Sequence, residues 1–212
     1  MLAAAVSAQP RGTLMSLLSK LRKRAAPRYY HGGPRGLSVG EKILPRNALP
    51  QWRGLSVTWQ AGQPAADFGD LGDTVSLTTD RTIAHAYAGN YLSPQNVRTA
   101  GQVYQVEPLA PVELDPDFPA SASTICRCTR GARIVAALDV VPVETNPRVL
   151  TKALAPHIVA LRTHEPFYDD EGYIIFTEAW ERFGATPTTL RALGPWIPKH
   201  LIPLDRFHIP SN

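Results

Sequence analysis

The stretch Arg28-Tyr29-Tyr30-His31-Gly32-Gly33 joins residues that can do chemistry to residues that allow close approach. His31 carries a hydrogen-bonding imidazole that changes charge near neutral pH. The two tyrosines before it favour an extended strand, and the two glycines after it let the backbone come close to a flat or charged ligand. The stretch therefore predicts a strand that delivers an imidazole to a binding site and then turns into a loop.

Two later stretches are predicted to form the other walls of this site. Residues 73–78 are β-branched and alternating, which predicts a strand. Thr79 and Asp80 can cap a helix that the apolar spacing predicts over residues 81–91. Residues 101–108 predict another strand, which leads to the acidic stretch Glu113-Leu114-Asp115-Pro116.

In this order, the three stretches resemble the ADP-ribosyltransferases, and within them the small rifamycin-inactivating enzymes most of all. The resemblance covers residues 29–141 and does not extend to residues 148–212. It implies an α+β fold of two small, mainly antiparallel sheets that form a split sandwich around a central NAD cleft. It also implies that the protein transfers ADP-ribose from NAD to an acceptor and releases nicotinamide. The acceptor stays open between a small-molecule antibiotic, a protein and a nucleic acid.

The resemblance assigns roles to four residues around the bound NAD. His31 would bond a ribose hydroxyl, and the backbone of Gly32 would bond the nicotinamide amide. Ser76 stands where this class of enzyme carries a strand tyrosine, and a serine cannot stack on a ring. Tyr87 follows eleven residues later on the predicted helix and would supply the aromatic ring alone. A buried histidine beside a turn and a tyrosine on the core face of a helix are the structural alternatives.

Asp115 matches the acidic residue that would stabilise the developing ribosyl cation. An Asp-Pro pair is also common in turns, and Glu113 and Glu171 remain rival acids. Three arginines surround the Cys126 and Cys128 pair near the start of the predicted strand over residues 132–141. They could contact the NAD pyrophosphate, or they belong to a solvated loop: Arg127, Arg130 and Arg133.

Two other functions stay open. The RNA 2′-phosphotransferases share the His-Gly start and the strand before a helix, but they carry a histidine where Ser76 stands. Alternatively, the chain is a catalytically degenerate fold of this kind that binds a partner, which the missing strand tyrosine favours.

Charge divides the chain into two parts. Residues 1–40 hold seven Lys or Arg and no Asp or Glu, so the rest holds 22 − 7 = 15 basic against 18 acidic residues, a balance of −3. We expect residues 1–27 to be a basic arm, partly helical or disordered, with leucines at helical spacing from Leu14 to Leu21. Residues 28–212 are expected to form the ADP-ribosyltransferase-like domain.

The remaining patterns predict the rest of this domain. Residues 46–72 are irregular, residues 132–141 predict a strand buried on both faces, residues 148–162 a helix and residues 173–176 a short strand. The tail over residues 187–212 is broken by prolines and predicts an extended strap.

Cysteine usage and apolar runs bear on location and cofactors. Cys126 and Cys128 are too few and too close for a zinc site or a comfortable disulfide, so we expect reduced thiols in a cytoplasmic monomer. No apolar run is long enough to cross a membrane, and the sequence predicts no metal site.

Overall fold

The computed structural model describes residues 27–50, 72–95, 97–160 and 163–204. Within these ranges seven strands form one antiparallel sheet in the order β2-β7-β4-β1-β3-β6-β5. The strands are β1 (Tyr29–Pro34), β2 (Lys42–Ile43), β3 (Val75–Thr78), β4 (Gly101–Pro108), β5 (Glu113–Leu114), β6 (Ile125–Cys128) and β7 (Ala132–Val141). The α+β class and the antiparallel pairing expected from the sequence are therefore confirmed.

Short helices accompany the sheet. They are α1 (Arg81–Gly89), α2 (Arg148–Leu154), α3 (Glu178–Arg182) and α4 (Pro187–Ala192), with 3-10 turns at Arg46–Ala48, Pro119–Ser121, Ala155–His157 and Lys199–Leu201. Helix α1 begins where the sequence predicts, because the Asp80 carboxylate accepts the Thr82 N–H at 2.7 Å. None of the helices in the described ranges has the length and apolarity needed to cross a bilayer.

Strand β1 is longer than the sequence predicts. Gly32, Gly33 and Pro34 continue the strand instead of starting a loop, since each faces a residue of β4 in regular register. The prediction that the strand ends at His31 is therefore wrong. The pairing holds the two glycines extended, and the turn follows at Arg35 and Gly36.

A short connection forces the sheet to curl. Strand β6 ends at Cys128 and β7 begins at Ala132, yet four strand spacings separate them in the sheet order. A flat sheet would put them about 19 Å apart, whereas four Cα–Cα steps reach at most about 15 Å. The two ends of the sheet must therefore approach each other.

The largest core fills the inside of this curl. It combines side chains from both ends of the strand order: Ile43, Val75, Leu77, Tyr104, Val106, Cys126, Cys128, Ala132 and Ile134. Helix α1 packs on the outer face, where Ala84 and Ala88 contact Val103 and Val141. We call these two sides the inner face and the outer face of the sheet.

Strand β7 is not buried on both faces as predicted. Its burial alternates, with Ala132 and Ile134 inside and Val135 and Val140 exposed. This alternation is typical of an antiparallel strand with one face on the core and the other in contact with solvent.

The C-terminal part differs from the prediction at three places. Helix α2 stops at Leu154 and passes into a 3-10 turn, because Pro156 lacks the N–H that a helix interior requires. The stretch 173–176 makes only a single bridge, Ile174 to Tyr168. The expected strap contains helix α4, which Thr186 and Thr189 cap reciprocally.

Several predictions fall outside the described residues. These are the basic arm with its leucine-spaced helix, most of the irregular stretch 46–72, and the last eight residues of the tail.

Candidate functional site

His31 marks the place where β1 and β3 separate. Among the described residues, these two strands pair only through Tyr30 opposite Thr78. Beyond that pair, the imidazole Nδ1 of His31 lies 2.9 Å from the carbonyl oxygen of Ser76. The side chain thus occupies the position where a continued ladder would bring the two backbones together.

This bond fixes the protonation of the imidazole. A carbonyl oxygen only accepts hydrogen bonds, so Nδ1 carries the proton and Nε2 is left as an acceptor. Burial lowers the pKa of His31 below its ordinary value; the bond to Ser76 offsets part of this, and the positive charge of Arg46 lowers the pKa further. The ring is therefore a neutral hydrogen-bond acceptor at neutral pH.

Gly32 is required by the packing of helix α1. A Cβ at this position would overlap the Ala84 carbonyl oxygen and lie 2.6 Å from the Ala88 nitrogen and 3.0 Å from the Tyr87 Cβ. The residue therefore lies on the outer face, directly beneath the helix. This reason for a glycine is different from close approach to a ligand, which the sequence suggested.

His31 and Tyr87 lie on opposite faces of β1. Side chains alternate along a strand, so His31 and Gly33 share the inner face while Gly32 points outward. A Cβ on Gly33 would indeed lie 2.7 Å from Nε2 of His31. Tyr87 instead packs on the outer face with Ile83 and Ile125. The predicted site residues therefore do not share one face of the sheet.

Ser76 connects the two faces. Its carbonyl accepts from His31, while its exposed side chain lies on the outer face in register with Arg127 of β6. Arg127 in turn lies opposite Glu113 of β5. Because directly opposed residues of antiparallel strands point to the same side, Ser76, Arg127 and Glu113 form one row.

Asp115 is buried beside this row in an ion pair. Its carboxylate oxygen Oδ1 lies 2.7 Å from Nη2 of Arg127 and accepts the Asp117 N–H at 3.0 Å. The same Arg127 nitrogen lies 2.9 Å from Oδ2 of Asp117. The Asp115 side chain is only 4% exposed and that of Asp117 is 60% exposed. Asp115 thus has the turn-forming role that the sequence offered as an alternative, and its carboxylate stays within reach of the outer face.

The phenol of Tyr87 lies close enough to Asp115 and Asp117 to be affected by their charges. Burial raises its pKa, and the negative charges of Asp115 and Asp117 raise it further. The hydroxyl therefore stays protonated and can donate a hydrogen bond. The ring is half-buried against Ile83 and Ile125, as expected for a tyrosine on the core face of a helix.

The two cysteines are free and inward-facing. Cys126 and Cys128 are buried, as the expectation of reduced thiols requires. Burial raises the pKa of the Cys126 thiol to about 11, and the charges of Asp115 and Cys128 contribute. The thiol is therefore protonated and a poor nucleophile.

The remaining predicted residues lie elsewhere. Glu171 pairs with Arg191 at 2.8 Å in the C-terminal part. Arg133 lies on β7 opposite Lys42 and Arg130 in the turn before it, whereas Arg127 lies in strand β6 and is only 11% exposed. The three arginines do not converge, and for Arg127 the expected solvated loop is wrong.

Sequence reasoning missed Arg46, which lies close enough to His31 for its charge to act on the imidazole. Arg46, in the first 3-10 turn, lowers the pKa of His31 and partly offsets the rise that burial causes in the pKa of Tyr91. Its turn is tied to the segment before β3 by a 2.7 Å hydrogen bond from Asn47 to Asp73. The irregular composition of residues 46–72 was the only signal, and it did not single out Arg46.

A scan of the sequence against protein-family models found no match, and a search of curated proteins found no significant one.

Proposed function

We propose that the protein transfers ADP-ribose from NAD to an acceptor and releases nicotinamide. The observation that carries the proposal is the junction of His31 with the Ser76 carbonyl where β1 and β3 separate. It combines the strand-borne imidazole with the strand that carries the second motif of the resemblance. The acidic group around Asp115 lies two strands further on, on the outer face.

NAD would bind at the split between the two strands. In this proposal, the sheet acts as two halves, one with β2, β7, β4 and β1 and the other with β3, β6 and β5. The dinucleotide is long enough to meet both faces of the split. Nε2 of His31 accepts a ribose hydroxyl on the inner side, and Ser76 and Tyr87 contact the nicotinamide end on the outer side.

Asp115, Asp117, Glu113 and Arg127, which we call the outer group, have a net charge that suits the reaction. Asp115, Asp117 and Glu113 contribute three negative charges and Arg127 one positive charge, a balance of −3 + 1 = −2. The nicotinamide ring of NAD is positively charged, and positive charge spreads onto the ribose as the glycosidic bond breaks. Fixed carboxylates beside that bond stabilise such a transition state.

The test is release of nicotinamide. Wild-type protein is incubated with NAD, alone and with a rifamycin, a protein mixture or RNA. Released nicotinamide is measured by chromatography, and the mass of each acceptor is measured to detect an added ADP-ribose. His31→Ala should abolish nicotinamide release, because it removes the imidazole that accepts the ribose hydroxyl and leaves the Ser76 carbonyl without this hydrogen bond. Arg182→Ala, which removes an exposed ion pair with Glu178 on α3, is the control and should match wild type.

The proposal is overturned if wild type releases no nicotinamide with any acceptor. Calorimetry with NAD then tests the second candidate, a binding module without catalysis. One observation favours that candidate: Ser76 stands where the ADP-ribosyltransferases carry a strand tyrosine, and a serine cannot stack on nicotinamide. NAD binding without turnover would support it.

A further inference from the structure

We propose that Arg127 is the positioning residue of this site and that it acts on the reaction through Asp115. The inference rests on the proposed function and deepens it. It assigns to Arg127 the task of holding one carboxylate oxygen so that the other faces the ribose.

The strand pairing puts Arg127 at the centre of the outer group. It lies in the middle of β6, with Ser76 opposite it on one side and Glu113 on the other. Its side chain is 11% exposed although arginine is usually solvated. A guanidinium so shielded from water, next to the short edge strand β5, is held there by the groups it pairs with.

The contacts of the Asp115 carboxylate involve only one of its two oxygens, which suits a positioning role for Arg127. Nη2 of Arg127 reaches both Oδ1 of Asp115, at 2.7 Å, and Oδ2 of Asp117, at 2.9 Å. Both contacts of the Asp115 carboxylate, with Arg127 and with the Asp117 N–H, are made by Oδ1. We assign the substrate contact to Oδ2, whose direction is fixed by the ion-pair contact and the hydrogen bond at Oδ1.

The guanidinium also keeps one donor that the fold does not use. Nε of Arg127 is buried and has no hydrogen-bond partner among the described residues. An arginine that serves only an ion pair commonly engages a carboxylate with Nε and Nη together. Here Nη2 alone bridges two carboxylates, those of Asp115 and Asp117. We infer that the position of Asp115, and not a two-nitrogen contact with one carboxylate, determines how the guanidinium is placed.

Two other titratable groups lie close enough to Asp115 to be affected by its charge. Tyr87 comes from α1, and Cys126 comes from β6, as the effect of Asp115 on both pKa values shows. Neither carries a positive charge. Arg127 is therefore the group that compensates the buried carboxylate within the described part of the chain.

A double-mutant cycle tests the proposal. Arg127→Ala, Arg127→Lys, Asp115→Asn and the Arg127→Ala/Asp115→Asn pair are compared with wild type for kcat of nicotinamide release and for NAD affinity by calorimetry. Arg127→Lys keeps the charge but loses the fork, and it guards against misfolding of the alanine variant. Circular dichroism confirms that each variant is folded, and Arg182→Ala is the matched control.

We expect kcat to fall about 10²-fold in Arg127→Ala and about 10-fold in Arg127→Lys, with NAD affinity unchanged within about twofold. In the Asp115→Asn background, Arg127→Ala should change kcat by less than about threefold, because residues that act as a unit are not additive.

Additive losses would overturn the proposal, since Arg127 would then act independently of Asp115. A parallel loss of NAD affinity would also overturn it and make Arg127 a binding residue. Both results require an active wild type, so they are distinct from failure of the proposed function. If wild type releases no nicotinamide, the assignment of Arg127 is overturned together with it.

Discussion

The sheet, residues 29–141, and the C-terminal part, residues 148–204, are built differently. In the sheet, polar side chains reach neighbouring strands and turns: His31 donates to the Ser76 carbonyl, and Arg127 forms an ion pair with Asp115, which follows β5. In the C-terminal part, short helices and turns surround a core of their own, formed by Ala155, Tyr168, Ile174, Ala185, Leu190, Ile197 and Ile202. The polar groups that could do chemistry gather in the sheet.

The C-terminal core is rich in aromatic contacts that stabilise shape. Phe167 meets Tyr168 edge-on at 4.9 Å between ring centroids, and the Tyr168 hydroxyl donates to the Ile197 carbonyl at 2.6 Å. Ion pairs there lie on the surface, such as Arg191 with Glu171. The difference teaches that a buried ion pair identifies the candidate site better than the mere presence of acidic residues.

The largest effect should separate the two candidate acids, one in each region. Asp115→Asn should lower the rate of nicotinamide release by about 10²–10³-fold, as expected for loss of an electrostatic stabiliser of the transition state. Glu171→Gln should leave it unchanged, because its carboxylate pairs with Arg191. Steady-state kinetics with NAD measures both, and the opposite ranking would move the acid to the C-terminal part.

A matched pair of core truncations compares the stability of the two regions. Leu77 of the sheet core and Leu190 of the C-terminal core are 2% and 1% exposed. Each Leu→Ala change should lower the free energy of unfolding by about 2–5 kcal/mol, the usual cost of a cavity in a packed core.

Urea unfolding, followed by fluorescence and circular dichroism, distinguishes cooperative unfolding of the two cores from independent unfolding of the C-terminal core. One cooperative transition in both variants would mean that the two cores fold together. A separate early transition in Leu190→Ala alone would mean that the C-terminal core is an independent unit.

The smallest effect concerns pH, again with one histidine in each region. Burial lowers the pKa of both His31 and His157; the Arg46 charge adds to this at His31, while Asp80 opposes it at His157. The unfolded chain takes up a proton near the ordinary value of 6.5, and the native state does so only at lower pH. Stability is therefore full above 6.5 and is lost as the pH falls below it.

Unfolding by urea measured between about pH 5 and 8 checks this sign. His31→Gln should flatten the acid-side loss of stability more than His157→Gln, because no negative charge offsets the burial of His31. A steeper loss in His31→Gln would contradict the direction of the shift.

Regular alternation made most of the sheet predictable. Strands β4 and β7 begin and end where their apolar and β-branched residues predict, and Asp80 caps α1 as expected. The C-terminal part was not predictable in this way. Pro187 occupies the first position of helix α4, and a proline is as compatible with the start of a helix as with its interruption. The pattern of prolines alone does not distinguish these uses.

The arrangement of the candidate site could not be predicted from the sequence. The motifs pointed to His31, Tyr87 and Asp115, yet the face on which each lies depends on strand register, which motif spacing alone did not fix. Arg127 is the clearest case. Its partners lie on three other segments, and only the pairing of β3, β6 and β5 reveals them.

The three-residue connection 129–131 fixes how tightly the sheet curls. Gly131 has φ +79°, and a Cβ there would overlap the Ile43 carbonyl oxygen, so the tether between β6 and β7 has little freedom to stretch. Chains with extra residues at this point would let the rolled sheet relax. The core side chains that the two ends of the sheet share would then separate, and the protein would lose stability although none of those side chains had changed.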